Sequence, residues 1–517
     1  MFLYSSPFAD RLNTNYVPSD SEVLHIHALL LEPTAELARV DARIEELEII
    51  LQQLKAQRAL LKTPIDAHRA LISPMRRIPE DVLIEIFCAC LPSEHNARID
   101  PAEAPMALGR ICKHWRGVAY SAPILWSTIH IPLLLNYTHA PPQILSRLGK
   151  IVEKIVEKWL KRSATCPLSV SLSVSFLDDD NRSPELNRHP LVLLLLPFSQ
   201  RLRRLTLNGD PELLRPLLQL GSEDLPLLES LVVECNACTE FPNSAFNLST
   251  LRNIGIRMSV PIDPRSLPLR WGQLTKLRLE CTPVWTGQIQ NGGLDLEGAF
   301  NVLRKCSILV HCEIAVTLGS GDADSILNTS PIILPHLQTL ALKGQFFFKK
   351  WIPYLIVPNL RSLQVREEVF ENDTASCFAQ DRYMSVTIES RHFTSSGVED
   401  LFRSFPMITH LRLFTSRNSR GVSWDDEFLA SLSSPHNPCP MLTNIIIPEA
   451  SAISDAALLA FVKARMAMST PLQQIQFRFP RRVKFNVLLE LQPFIADGLE
   501  VDIKYPPILE RQFISRQ

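Results

Sequence analysis

Leu337-Gln338-Thr339-Leu340-Ala341-Leu342 returns 23 residues later as Leu360-Arg361-Ser362-Leu363-Gln364-Val365, so one pattern, Leu-x-x-Leu-x-Leu, occurs twice in close succession. The alternation over its last residues suits a short strand with one face buried. With Ile, Val, Cys, Phe or Tyr allowed at the apolar places, the pattern occurs eleven times. The units are Leu202/Leu205/Leu207, Leu228/Leu231/Val233, Leu251/Ile254/Ile256, Leu274/Leu277/Leu279, Leu309/Cys312/Ile314, Leu337/Leu340/Leu342, Leu360/Leu363/Val365, Tyr383/Val386/Ile388, Ile408/Leu411/Leu413, Leu442/Ile445/Ile447 and Leu472/Ile475/Phe477. Start-to-start gaps are 26, 23, 23, 35, 28, 23, 23, 25, 34 and 30.

Pro226, Pro335, Pro358, Pro406 and Pro440 each stand two residues before the first apolar residue of a unit, which predicts a turn ahead of each strand. Helical spacing fills some of the intervals, as in Leu294 to Leu303, Asp425 to Leu432 and Asp455 to Arg465. A strand followed by a helix, repeated, stacks into a curved solenoid. The spacing resembles that of leucine-rich repeats, because seven of the ten gaps fall within that family's 20 to 29 residues. The family's Asn/Cys position is filled only in places, as at Asn236, and the three longer gaps imply insertions. An irregular α/β domain with many Leu-rich strands is the alternative. If the resemblance holds, the polar positions between the leucines lie on a concave face that meets a protein ligand.

Ahead of the repeats lies a denser block, residues 72–131. Ile78-Pro79-Glu80-Asp81 reads as a helix start, with Pro near the first position and two acids in the positive first turn. Val82, Leu83, Ile86, Phe87, Cys90 and Leu91 follow at helical spacing, and Pro92 stops the run. After a polar loop, a second stripe of Leu108, Ile111, Cys112, Trp115 and Val118 predicts a helix facing the first. Pro123 to Ile129 then adds Trp126. Sixty residues bury so many large apolar groups poorly, so some are expected to face a partner.

Ile78-Pro79, Val82-Leu83, Ile86-Phe87, the run Cys112-Lys113-His114-Trp115-Arg116-Gly117-Val118-Ala119 and Leu125-Trp126 resemble, in order, the F-box. With the preceding long helix the arrangement looks like that of a large group of fungal F-box proteins. Ile78 where Leu is commonest, and the long loop from Ser93 to Pro105, depart from the pattern. The resemblance implies that Ile78, Pro79, Val82, Leu83, Ile86, Phe87, Leu108, Ile111, Cys112, Trp115 and Trp126 bind a Skp adaptor, dividing between the module's core and the partner. It further implies a link through that adaptor to cullin, so that the chain would be the substrate-recognition subunit of an SCF-type ubiquitin ligase and no enzyme itself.

Residues 1–20 read as a loose tail. From Leu37, the residues Leu37, Val40, Ile44, Leu47, Leu51, Leu54, Leu61 and Ile65 keep the alternating three and four of a heptad, with Arg58 in the remaining seam place. A long helix over 21–66, ending near Pro64, follows. Two readings stay open for it: a coiled coil that joins two copies through residues 37–65, and a helix packed on its own chain.

The 517 residues are 46% hydrophobic, enough for more than one domain and a large core. Lys and Arg number 53 against 54 Asp and Glu, so no global field draws the chain to nucleic acid or an anionic membrane, and a protein partner is expected. Eleven cysteines without regular spacing argue for free thiols in the cytoplasm or nucleus. Neither a secretory leader nor a spanning segment is evident, the longest apolar run being Leu191 to Leu196.

Chemistry finds little support. With 17 Gly and no phosphate-binding loop, nucleotide binding is not expected. Asp178-Asp179-Asp180 reads as a solvated loop, Cys235-Asn236-Ala237-Cys238 lacks a second ligand pair, and the 13 His make no catalytic or metal-binding set. Arg481, Arg482 and Lys484 beside Phe479 and Phe485 read as a solvated edge rather than an RNA patch. No cofactor is expected. The fold expected is α/β: a long N-terminal helix, a small all-α F-box module, and a leucine-rich-repeat-like solenoid over residues 135–517.

Overall fold

The computed structural model describes residues 6–133, 142–174, 189–235, 244–259, 263–286, 289–318, 330–344, 355–366, 384–415, 422–433 and 437–506. The chain divides into two compact units, Met1–Leu83 and Ile84–Gln517. Asp178-Asp179-Asp180, Asn236 to Cys238 and Tyr383 fall outside the described residues.

In the first unit a single helix, α1, runs over Asp20–Leu71. Its start is a capping box: the Ser19 side chain meets the third-residue amide while the Glu22 carboxylate accepts the Ser19 N–H at 2.8 Å. That bond, with those from the Ser19 and Tyr16 hydroxyls, holds the Glu22 carboxyl at about 2. Residues ahead of the helix are tied back to it, Arg11 to Glu22 at 2.9 Å and Phe8 edge-on to His25 at 5.7 Å. The helix does not end near Pro64. It carries both Pro33 and Pro64 inside and continues to Leu71, because a proline deletes one backbone donor while its neighbours keep theirs. Around Pro64 the Thr63 hydroxyl bonds the Ala59 carbonyl at 3.0 Å and a ring nitrogen of His68 meets the Pro64 carbonyl at 2.7 Å.

The second unit is organised on one open sheet of 14 strands, each parallel to its neighbours. In order these are Thr128–Leu133, Leu168–Val174, Leu202–Asn208, Ser230–Cys235, Asn253–Ser259, Lys276–Thr282, His311–Val316, Thr339–Gly344, Ser362–Arg366, Met384–Glu389, Ile408–Phe414, Asn444–Ile447, Gln474–Arg478 and Glu500–Lys504. All eleven repeated segments are strands of this sheet.

Their fourth-place residues pair across the sheet in a single row, Leu205, Leu231, Ile254, Leu277, Cys312, Leu340, Leu363, Val386, Leu411, Ile445 and Ile475, every one buried. A one-residue slip would turn the whole row to the other face, so burial fixes the register.

The prolines act as the spacing predicts. Leu228, Leu337, Leu360, Ile408 and Leu442 each donate their N–H to the carbonyl three residues back, of Leu225, Leu334, Val357, Phe405 and Cys439, at 3.1 to 3.3 Å. Each proline is therefore the second residue of a closed turn, where its fixed φ is preorganised. The first leucine of each unit emerges from that turn into the core.

Three strands carry no such signal. In the first, Trp126 takes the place of the leading leucine ahead of Ile129 and Ile131, so the sheet begins at Thr128 rather than at 135. Pro167 and Gly498 stand at the equivalent places before Leu168–Val174 and Glu500–Lys504. Helices Leu296–Lys305, Asp426–Ser433 and Asp455–Met466 fill the three intervals expected of them. The gap of 35 residues also holds an antiparallel pair, Val284–Thr286 with Ile289–Asn291.

Candidate functional site

The stretch with the densest functional signal opens on a helix, α2, over Glu80–Ala89, which crosses the boundary between the units. On the first unit's side, Leu83 donates to the Pro79 carbonyl at 3.0 Å, and the acids Glu80 and Asp81 lie in the first turn, where the helix dipole favours them. Pro79 is exposed and Ile78 half-buried. Sequence spacing put Val82 and Leu83 on one stripe, yet Val82 is 46% exposed and Leu83 is fully buried.

In the second unit Ile86 is half-buried and Phe87 fully buried, its ring 4.9 Å from that of Trp115. Trp115 belongs not to one long helix but to the second of two, α3 over Leu108–Ile111 and α4 over Lys113–Ser121. Between them Cys112 is extended, φ −156° and ψ 171°, and its Sγ accepts the Trp115 N–H at 3.4 Å. The expected single stripe is thus broken at a cap: Leu108 turns inward, while Ile111 and Cys112 are exposed. Arg116 ties the two helices, its Nε donating to the Gly109 carbonyl at 2.7 Å. A Cβ at Gly109 would meet the Tyr120 ring at 3.1 Å, so a larger residue there requires that ring to shift by a few tenths of an ångström.

Trp126 is 1% exposed. Its indole donates to the Ala119 carbonyl at 2.8 Å and packs edge-on to Trp159 at 4.7 Å, while the Arg162 guanidinium lies over its ring at 4.7 Å and over Tyr120 at 4.3 Å. Trp159 sits on the helix α5, Pro142–Arg162, and donates to the Thr128 carbonyl at 3.1 Å. Of the expected division between core and partner, Trp126 falls on the core side, where it joins α4, α5 and the first strand. Leu83, Phe87 and Leu108 are likewise interior.

The solvent-facing members of the eleven are Pro79, Val82, Ile111 and Cys112, with Ile78, Ile86 and Trp115 half-buried. Ile124, 47% exposed, joins them in the second unit. Its place in the single 3-10 turn Pro123–Trp126 gave no periodicity by which to find it.

The loop before α3 is structured by the sheet. The Ala97 carbonyl accepts the His130 N–H at 2.8 Å, and Asn96 Oδ1 accepts the Ser169 hydroxyl at 2.8 Å. This backbone covers the first edge strand, whose free groups would otherwise invite another chain.

The sheet's other face is polar. Arg278 reaches Glu313 at 3.3 Å and Glu234 at 3.9 Å, Lys343 pairs with Glu313, and Arg257 lies 3.4 Å from Glu280. His130 bonds Ser171 at 2.9 Å, and burial with the nearby Arg98 cation keeps that imidazole below its usual range. Acids and bases are interleaved across Glu234, Arg257, Arg278, Glu280, Glu313 and Lys343.

Arg481, read as part of a solvated edge, is engaged: it pairs with Asp455 at 2.6 Å and lies 4.6 Å over Phe479. Burial pushes the Cys281, Cys306 and Cys439 thiols up to about 12. Among the described residues no group of three or more His, Cys, Asp or Glu is placed to hold a metal ion. No helix among them is long and apolar enough to cross a membrane. No protein-family model matches the chain, and no curated protein matches it.

Proposed function

We propose that the chain is the substrate receptor of an SCF-type cullin-RING ubiquitin ligase. In this reading the F-box-like stretch 72–131 docks the Skp adaptor, and the leucine-rich-repeat-like strands beyond it hold the protein to be modified. The observation that carries it is the split within the motif's apolar positions. Leu83, Phe87, Leu108 and Trp126 are interior, yet Val82 is 46% exposed and Pro79 exposed in the first unit, and Ile111 is 59% exposed and Cys112 exposed in the second. These exposed apolar side chains fall at positions that the F-box resemblance gives to the adaptor, which supports the docking reading. Each that becomes buried at an interface contributes about 1.5 to 3 kcal/mol.

The repeat reading draws on the in-register row of buried residues and on the recurrent proline turns. The alternating charges of the sheet's polar face suit a folded protein with its own mixed charges better than a polyanion. The chain performs no chemistry; it holds an acceptor lysine near the charged conjugating enzyme and so raises effective concentration.

The test is capture of the purified Skp adaptor by the full chain, wild type against Val82→Glu combined with Ile111→Glu. Both positions face solvent, so melting temperature stays within about 2 °C while adaptor binding is lost. A wild-type chain that fails to retain the adaptor, or a folded double variant that retains it equally, removes the ligase reading and leaves a protein-interaction scaffold.

A further inference from the structure

Helix α1 displays an apolar seam that stays exposed within the first unit, among the described residues. Leu37, Val40, Ile44, Leu47, Leu51 and Leu54 are 47 to 59% exposed, and Leu61 and Ile65 are 66% and 49% exposed. These residues keep the heptad, so two copies can bring their seams together over more than four heptads. We propose that the seam is covered by a second copy of this chain, running antiparallel.

The direction follows from the charges flanking the seam. One flank reads Asp41, Glu48, Lys55, Lys62, acidic in its first half and basic in its second. In an antiparallel pair this flank meets itself reversed. With Leu51 packed against Leu54 of the second copy, Ile44 meets Leu61, Val40 meets Ile65 and Leu47 meets Arg58. The same register sets Glu48 against Lys55 and Asp41 against Lys62, each pair twice by symmetry. Arg58, the one polar seam residue, then lies against a leucine, with its head beside Glu48 of the second copy.

A parallel pair fares worse. It sets Arg58 against Arg58 inside the seam and Glu36 beside Asp41, both like-charged, and keeps one opposite-charged flank contact, Arg43 beside Glu48, against two kinds of such contact in the antiparallel pair. Intrahelical pairing leaves the four flank residues free for this role. Along Glu36 to Arg69 the helix's own ion pairs are Glu36 with Arg39, Arg43 with Glu46 and Asp66 with Arg69, and among the described residues Asp41, Glu48, Lys55 and Lys62 enter none. Pro33 falls on the seam and sets its N-terminal limit, whereas Pro64 lies on the opposite flank, outside the core layers.

The experiment uses the full chain. Sedimentation equilibrium gives twice the 58.4 kDa chain mass if the proposal holds. Val40→Cys and Ile65→Cys chains, mixed and mildly oxidised, become joined between positions 40 and 65, as read from the linked peptides by mass spectrometry. Val40→Cys alone gives no link from position 40 to position 40, because the two sites lie about 38 Å apart along an antiparallel pair. Glu48→Lys weakens association about tenfold, and adding Lys55→Glu restores it. Circular dichroism checks that the helix survives in each variant. A monomer, a mass above two chains, a link between two positions 40, or failure of the charge swap to restore association overturns the proposal.

Discussion

Replacing Asp455 by Asn should loosen the last strand of the sheet, and the size of the effect can be worked from one carboxylate. Asp455 opens the helix Asp455–Met466 with its side chain 3% exposed. Its Oδ1 accepts from Arg481 Nη2 at 2.6 Å and the Tyr505 hydroxyl at 2.9 Å. Its Oδ2 accepts from Arg481 Nη1 at 3.1 Å and from the N–H groups of Lys484 and Phe485 at 3.0 and 3.1 Å. One side chain thus joins a helix, the loop after Gln474–Arg478, and the residue following Glu500–Lys504.

Burial alone would raise this carboxyl, but the bonds from Arg481, the Lys484 amide, Tyr505 and the Phe485 amide outweigh it and hold it at about 2, against 3.8. A depressed carboxyl stabilises the fold above its unfolded value and loses that contribution as pH falls toward 2. The difference corresponds to about 2 to 3 kcal/mol at neutral pH. In Asp455→Asn that contribution goes, and an amide NH₂ is set against donors, so the total reaches about 3 to 5 kcal/mol. Amide hydrogen exchange across Glu500–Lys504 at pH 7 should accelerate at least about 50-fold, while Ser230–Cys235 is unchanged. Between pH 4 and 2 the wild type should lose this protection relative to the variant. Acceleration under about threefold, or the same pH profile in both proteins, refutes the reasoning.

The interior position of Trp126 predicts that Trp126→Ala lowers stability by about 3 to 5 kcal/mol, whereas Ile124→Ala, one turn away at the surface, costs under about 1 kcal/mol; urea unfolding compares them. Thiol labelling at pH 8 should modify the exposed Cys90 and Cys112 and spare Cys281, Cys306 and Cys439, whose thiols at about 12 carry almost no thiolate. Rapid labelling of those three in the folded chain would contradict their burial.

The strands were legible because two signals coincide: a period-two alternation that fixes the buried face, and a leading apolar residue, which in five units follows a proline turn. Where the second signal fails, the strand was not found, as with Pro167 and Gly498 at the leading place. Trp126 fits two patterns at once, the end of the F-box-like pattern and the start of the first strand, and its packing against Trp159 places it with the strand.

Helical spacing carried Leu108 through Trp115 straight past Cys112, since periodicity registers no extended residue whose side chain caps the next helix. It also placed Val82 and Leu83 together, because a stripe gives a direction and not a depth. From spacing alone Pro64 reads as a stop, whereas its effect on the 52-residue helix is local.

Hydrogen exchange of the full chain with and without the purified Skp adaptor tests the central claim most directly. The account predicts protection on binding over residues 78–86 and 111–118 and at Ile124, with the amides of Ser230–Cys235 and Asn444–Ile447 unchanged. Absence of any complex, or protection confined to the sheet while residues 78–86 and 111–118 exchange as before, would contradict it.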